Sequence, residues 1–145
     1  MTLEELEKQL PEIRESQGAS LSWLASRGIA GPTVYKIHRG ENYAIGSLFK
    51  YIESLHYVVK VDGVLVTDTV KLSGLLKAKR IALGLSLLDL EKELGWSPNQ
   101  VISVEKGSNY YRSTLLKYIQ VVNIDIKIVG IDTLTPEEQD EFFKS

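Results

Sequence analysis

The chain has 145 residues, 17 Lys and Arg against 19 Asp and Glu, 43% hydrophobic residues and no cysteine. This mixture is neither disordered nor collagenous, and the length allows one domain or two small ones. Without cysteine there are no disulfides, cysteine zinc sites or thiol nucleophiles, and two histidines, His38 and His56, leave little for metal or acid–base chemistry. No apolar run approaches the ~20 residues of a membrane span. The acidic, amphipathic Thr2–Lys8 is unlike a secretory or transit leader, so a cytoplasmic protein without membrane contact is expected.

Thr2-Leu-Glu-Glu opens a helix with a capping box from Thr2 and Glu5, expected to reach Leu10 ahead of Pro11. From Ser20 onward the chain repeats itself. Displaced by 67 positions, Val34–Gly63 overlies Val101–Gly130 with ten identities in 30 columns, among them Asn42/Asn109, Tyr43/Tyr110, Tyr51/Tyr118 and Lys60/Lys127. Chance supplies about two. A one-residue gap upstream brings Ser20-Leu21 over Ser86-Leu87. The chain therefore reads as a tandem duplication: a first unit 1–67 with its acidic helix, a second unit 68–131, and an acidic tail 132–145.

Each unit reads as helices followed by a strand. In the second, Leu72, Leu75, Leu76 and Leu83 give a helical spacing stopped by Gly84. Ser86 caps a short helix carrying Leu87, Leu90 and Leu94, and Gly95 ends it. Ser97-Pro98 starts the next, which presents Val101, Ile102 and Val104 and stops at Gly107. A further helix from about Ser113 carries Leu115, Tyr118, Ile119 and Val122. Alternating Ile124, Ile126 and Ile128 then mark a half-buried strand from Asn123. In the first unit Tyr57–Val61, Asp62-Gly63 and Val64–Val66 read as a hairpin. The fold class is thus mainly α with a small β element. Either each unit keeps its own small sheet, or the strands of both pair antiparallel in one; the second is favoured because isolated hairpins are marginal. Thr135-Pro-Glu-Glu opens a last helix ending in Phe142-Phe143, which either docks on the core or meets a protein partner.

Two short helices joined by a glycine turn can present the second to the major groove of DNA. The run Ser86–Gly107 resembles the Xre/Cro-like helix-turn-helix of phage repressors and many antitoxins, through Ser86, Leu90, Leu94-Gly95, Ser97-Pro98, Val101, Val104-Glu105 and Lys106-Gly107, without a gap. Ser20–Gly40 matches through its sister. It lacks one residue before Gly28, has Ala30-Gly31-Pro32 where the second unit has Ser-Pro-Asn, and has His38 where the family favours Glu. The polar phosphate clamp common in the family is Leu21 and Leu87 here. The resemblance implies two lambda-repressor-like units and a fused pseudo-dimer, with base-reading positions at Ser97, Asn99, Gln100 and Ser103, and at Thr33 and Lys36 in the first unit. Asn and Gln amides independently suit bidentate pairing with adenine.

Phosphate anchoring is expected from the residues around these helices: Lys77, Lys79 and Arg80, then Lys106, Ser108, Asn109 and Arg112, and Arg39 in the first unit. Tyr43 and Tyr110 are loop tyrosines whose hydroxyls are further candidates, while Tyr51 and Tyr118 read as core. The expected function is a sequence-specific double-stranded DNA-binding regulator without cofactor, metal or catalytic residues, with homo-oligomerisation open. The other reading is a protein-interaction module, an antitoxin or inhibitor, meeting its partner through Phe142 and Phe143. The net charge of −2 does not oppose DNA, because residues 20–131 hold 14 cations and 9 acids and the acid excess lies at the ends.

Overall fold

The computed structural model describes residues 1–144. In chain order it contains α1 (Leu3–Gln17), α2 (Leu21–Ser26), α3 (Gly31–Arg39), α4 (Ile45–Ser54), the hairpin β1 (Tyr57–Val61) and β2 (Val64–Val66), then α5 (Thr69–Ala82), α6 (Leu87–Leu94), α7 (Pro98–Glu105), α8 (Arg112–Val122) and β3 (Ile126–Gly130). A 3-10 turn (Ile131–Thr133) leads to α9 (Pro136–Lys144). The protein is mainly helical with a three-stranded antiparallel sheet in the order β2-β1-β3. Asp62 and Gly63 both take positive φ, 49° and 81°, as the tight hairpin turn requires.

The first helix corrects the sequence reading. It runs on through Pro11 to Gln17, and it occupies in the first unit the place of α5 in the second, 66 residues on. Thr2 and Asp68 both cap, accepting from the backbone N–H of Glu5 and Lys71. Arg14 and Arg80 each donate to a carbonyl five residues on, at Ala19 and Leu85. The acidic N-terminal segment is thus the opening helix of the repeat and no flank. Counted by whole units, residues 1–66 hold 7 cations against 8 acids and residues 67–131 hold 9 against 6, so the cationic excess lies in the second unit.

The two units meet about a pseudo-two-fold axis. In an antiparallel pair, two repeat-equivalent residues face each other only where such an axis passes between them. Lys60 faces Lys127 in the β1–β3 ladder, and Ala44 bridges Tyr111; both pairs are 67 apart. The surrounding bonds obey the same operation. Ile45 N–H donates to the Tyr110 carbonyl (2.9 Å) and Arg112 N–H to that of Tyr43 (2.8 Å). The Asn109 amide oxygen accepts from Gly46 N–H (3.1 Å) and that of Asn42 from Ser113 N–H (2.9 Å), so each unit caps the other's last helix. One continuous core follows, with Leu10, Val34 and Ile52 from the first unit and Leu76, Val101 and Leu115 from the second in the same cluster.

The sheet separates that core from a smaller one. Val59, Val61, Val66 and Ile126 face the helices. Val58 and Leu65, on the opposite face, are buried with Ile131 and Leu134, and Phe142 of α9 packs against them. Lys60, on this second face, pairs with Glu138 at 2.7 Å, and Lys71 of α5 pairs with Glu141. The last two aromatic residues therefore divide: Phe142 docks and Phe143 is 71% exposed. The strand of the second unit also starts later than its alternation suggests. Asn123, at φ 43°, turns the chain after α8, and Ile124 packs on the core before β3 begins at Ile126.

Candidate nucleic-acid interface

The sharpest corner of the second unit is built by two consecutive capping boxes. Ser86 and Asp89 start α6, and Gly95 at φ 66° ends it. Two residues later Ser97 and Gln100 start α7, with Pro98 supplying a helix-ready φ at its first turn. Leu90, Val101 and Val104 are buried and fix the pair against the core. What remains outward on α7 is Ser97, Asn99, Gln100 and Ser103, all exposed. Asn99, Gln100, Ser103, Ser108, Asn109 and Thr114 line one open cleft between α7 and the start of α8. Five residues named from sequence thus share one surface. Within it the Gln100 carbonyl oxygen accepts from Ser97 N–H (2.8 Å), leaving its NH₂ group as the free donor.

Four of the expected phosphate ligands are occupied with other work. Arg80 is buried and grips Glu105 with two bonds of 2.8 and 2.9 Å, while Tyr118 donates to the same carboxylate at 2.9 Å. The hydrogen bonds to Glu105 hold the Arg80 guanidinium further above its usual range. This ion pair locks α7 to α5 and α8 and cannot reach a phosphate. Lys79 is bound to Asp62 in the hairpin turn (3.0 Å). Arg112 crosses the axis to chelate Glu7 of α1 (2.7 and 2.8 Å). Asn109 is the cross-axis cap described above. The loop tyrosines are likewise internal: Tyr43 donates to Glu7 (2.6 Å) and Tyr110 meets Ser73 (3.2 Å). Burial, and then the Glu7 charge, push the Tyr43 hydroxyl far above its ordinary range. Sequence reasoning did not find these internal partners because they lie elsewhere along the chain, 105 residues away in the Arg112–Glu7 case. Lys77, Lys106 and Ser108 remain exposed.

The first unit repeats this frame with different chemistry. Its α3 has Ala30 at the N-cap, with no side-chain cap bond, and carries Pro32 in its first turn. Thr33 is half-buried and Lys36 exposed. Arg39 lies over the Tyr35 ring at 5.6 Å and near Glu41 at 3.5 Å, still largely in solvent. Arg27 lies over Trp23 at 4.8 Å. Where the second unit has Arg80, Glu105 and Tyr118, the first has Arg14, His38 and Tyr51, with His38 Nε2 at 2.6 Å from the Tyr51 hydroxyl. Burial, and then the Arg14 charge, hold His38 below the usual imidazole range. Burial pushes Tyr51 up to about 12. The sequence showed His38 where the second unit has Glu105, but not its neighbour. Arg14, 66 residues ahead of Arg80, was the signal that could have found it.

Compared with family models, curated proteins and solved structures, the chain finds no match. Among the described residues no helix is long and apolar enough to cross a membrane, and no three His, Asp or Glu side chains converge where they could hold a metal ion.

Proposed function

We propose that the protein is a cytoplasmic regulator that binds double-stranded DNA in a sequence-specific manner, with α7 and α3 as its two reading helices. The observation that carries this reading is the pseudo-two-fold axis at Lys60/Lys127 and Ala44/Tyr111, which relates a pair of helix-turn-helix corners as a dimeric repressor relates its two subunits. In this reading Asn99, Gln100 and Ser103 contact base edges in one half-site. Thr33 and Lys36 contact the other, about one helical turn or ~34 Å away. Lys77, Lys106, Ser108 and Arg39 remain as phosphate contacts, and the cationic excess of the second unit makes that half the stronger anchor. Because the two faces differ, the preferred site is asymmetric.

Selection from random duplex DNA, followed by anisotropy titration at two salt concentrations, tests this. The expected product is one asymmetric site whose affinity falls steeply with salt. Asn99→Ala should cost about 1–3 kcal/mol and relax specificity in a single half-site, while Lys106→Ala should weaken all sequences alike and lower the salt slope by about 1. If no sequence is enriched, the reading fails. The competing one, a protein-interaction module acting through the C-terminal helix, is favoured by one observation, the exposure of Phe143.

A further inference from the structure

The internal repeat supplies a control for one cluster of side chains. In the second unit the Glu105 carboxylate accepts from the Arg80 guanidinium and from Tyr118, and the pair is shut away from solvent, its side chains 8% and 7% exposed. The first unit keeps the two donors and loses the acceptor. Arg14 and Tyr51 stand where Arg80 and Tyr118 do, and His38 replaces the carboxylate. The Tyr51 hydroxyl meets His38 Nε2 at 2.6 Å; with the tyrosine donating, as Tyr118 donates to Glu105, the proton of the neutral ring lies on Nδ1. Arg14 donates through Nε to the Ala19 carbonyl at 2.9 Å. Among the described residues neither its two terminal nitrogens nor His38 Nδ1 has a hydrogen-bond partner, and no unpartnered side-chain nitrogen is buried, so all three face solvent. Arg14 and His38 line one open cleft of about 380 Å³ with Pro11, Glu15 and Ser20.

We propose that this cleft binds a small monocarboxylate, whose oxygens accept from the terminal nitrogens of Arg14 and from His38 Nδ1–H. The ligand supplies from outside the charge that Glu105 supplies from within. A carboxylate takes two parallel bonds from a guanidinium, as Glu105 already does from Arg80. The volume lies at the low end of ligand pockets, ~300 Å³ upward, and suits a short organic acid. Glu15 sets the charge of the ligand. It is exposed on the rim, and as the helical neighbour of Arg14 it does not face it, so it adds a negative field without neutralising the guanidinium. That field opposes a dianion such as phosphate more than a monoanion. The bound acid would join α1 to α3 as the internal ion pair joins α5 to α7. The anchoring of α3 is then ligand-dependent, where that of its sister helix is built in.

The experiment is an NMR titration of the full chain with sodium acetate at constant ionic strength, at about pH 7.5 where the ring is neutral. No DNA is present, so the outcome is independent of the DNA-binding reading. The chain has two histidines, and His56→Gln assigns their ring signals. The His38 signals should shift saturably, with a Kd on the order of millimolar, while those of His56 stay fixed. Acetate should also raise the urea midpoint. Arg14→Met should weaken binding at least ~10-fold through loss of the charge-assisted pair. Glu15→Gln, an exposed change, should tighten acetate by about 2-fold. In His38→Glu the side chain takes the place of the ligand, and acetate should no longer raise the midpoint. Inorganic phosphate should bind more weakly than acetate. The proposal is overturned by the absence of a saturable shift at His38, by a shift that Arg14→Met leaves unchanged, or by phosphate binding tighter than acetate. A midpoint that rises equally in the wild type and in His38→Glu also overturns it, since acetate would then act as a general salt.

Discussion

His38 shows how one residue changes the behaviour of a whole helix-turn-helix corner. In the second unit the buried Arg80 guanidinium is neutralised by Glu105, and α7 is fixed through it. In the first, Arg14 has an imidazole in the place of that carboxylate, and the nearest hydroxyl is Tyr51. The charges near this imidazole are Arg14 on α1 and Arg39 beside it on α3; Glu4, Glu7, Lys8 and Arg112 line the adjoining cleft with His38. Since burial and Arg14 keep the folded imidazole below its ordinary value, the unfolded chain binds the proton more tightly. Stability contributed by the neutral ring is therefore present above pH ~6.5 and is lost as pH falls below that value. Urea denaturation at about pH 7.5 and about pH 5.5 should show this loss, and His38→Gln should reduce it. His38→Glu should restore the ion pair with Arg14 and raise stability at neutral pH by about 1–2 kcal/mol. A less stable glutamate variant would mean that Arg14 cannot turn to meet it.

At the scale of elements, the capping of α4 and α8 ties the helices of one unit to loops of the other. Asn42 and Asn109 were legible as a repeat identity, and so were the helix starts at Ser86 and Ser97 and the Asp62-Gly63 turn, because those signals are local. The service that the asparagines perform was not legible. A cap is normally given within its own chain segment, whereas here each amide oxygen accepts from a helix 63 or 71 residues away. Asn42→Ala and Asn109→Ala should each cost about 1 kcal/mol and the double variant about 2, measured by chemical denaturation. The same limit hid α1. Upstream of Ser20 only Leu6/Leu72, Leu10/Leu76, Arg14/Arg80 and Gly18/Gly84 persist as identities, too few for an alignment to insist on equivalence. The chain also drops its exposed positions there, exchanging acids on α1 for apolar residues on α5. Gly107 is a further case. A Cβ there would lie 2.7 Å from the Val70 Cα, so the turn after α7 can press directly on α5 only as glycine, at φ 83°.

For the whole molecule, the shared core and the β1–β3 ladder make the two units one cooperative body. The chain carries a natural probe in each half, Trp23 on α2 and Trp96 ahead of α7, the latter 6.5 Å from the Tyr118 ring. Single Trp→Phe variants should therefore report the same urea midpoint and slope from either half. Two separated transitions would show that the units fold apart. The duplication and the pairing of its strands could be read from the sequence, because the repeat set the partners and alternation set the faces. The second, outer core could not, since it depends on α9 folding back over Val58 and Leu65 with only Phe142 of its two aromatic residues.

Only one of the two units is followed by α9, and only one carries β2 at its sheet edge. A homodimer on a palindrome has no front or back, and turning it around reproduces the same complex. This pseudo-symmetric chain has a heading. On an asymmetric site it would seat in a single sense, and the Phe143-bearing helix would point toward the same flank of DNA each time.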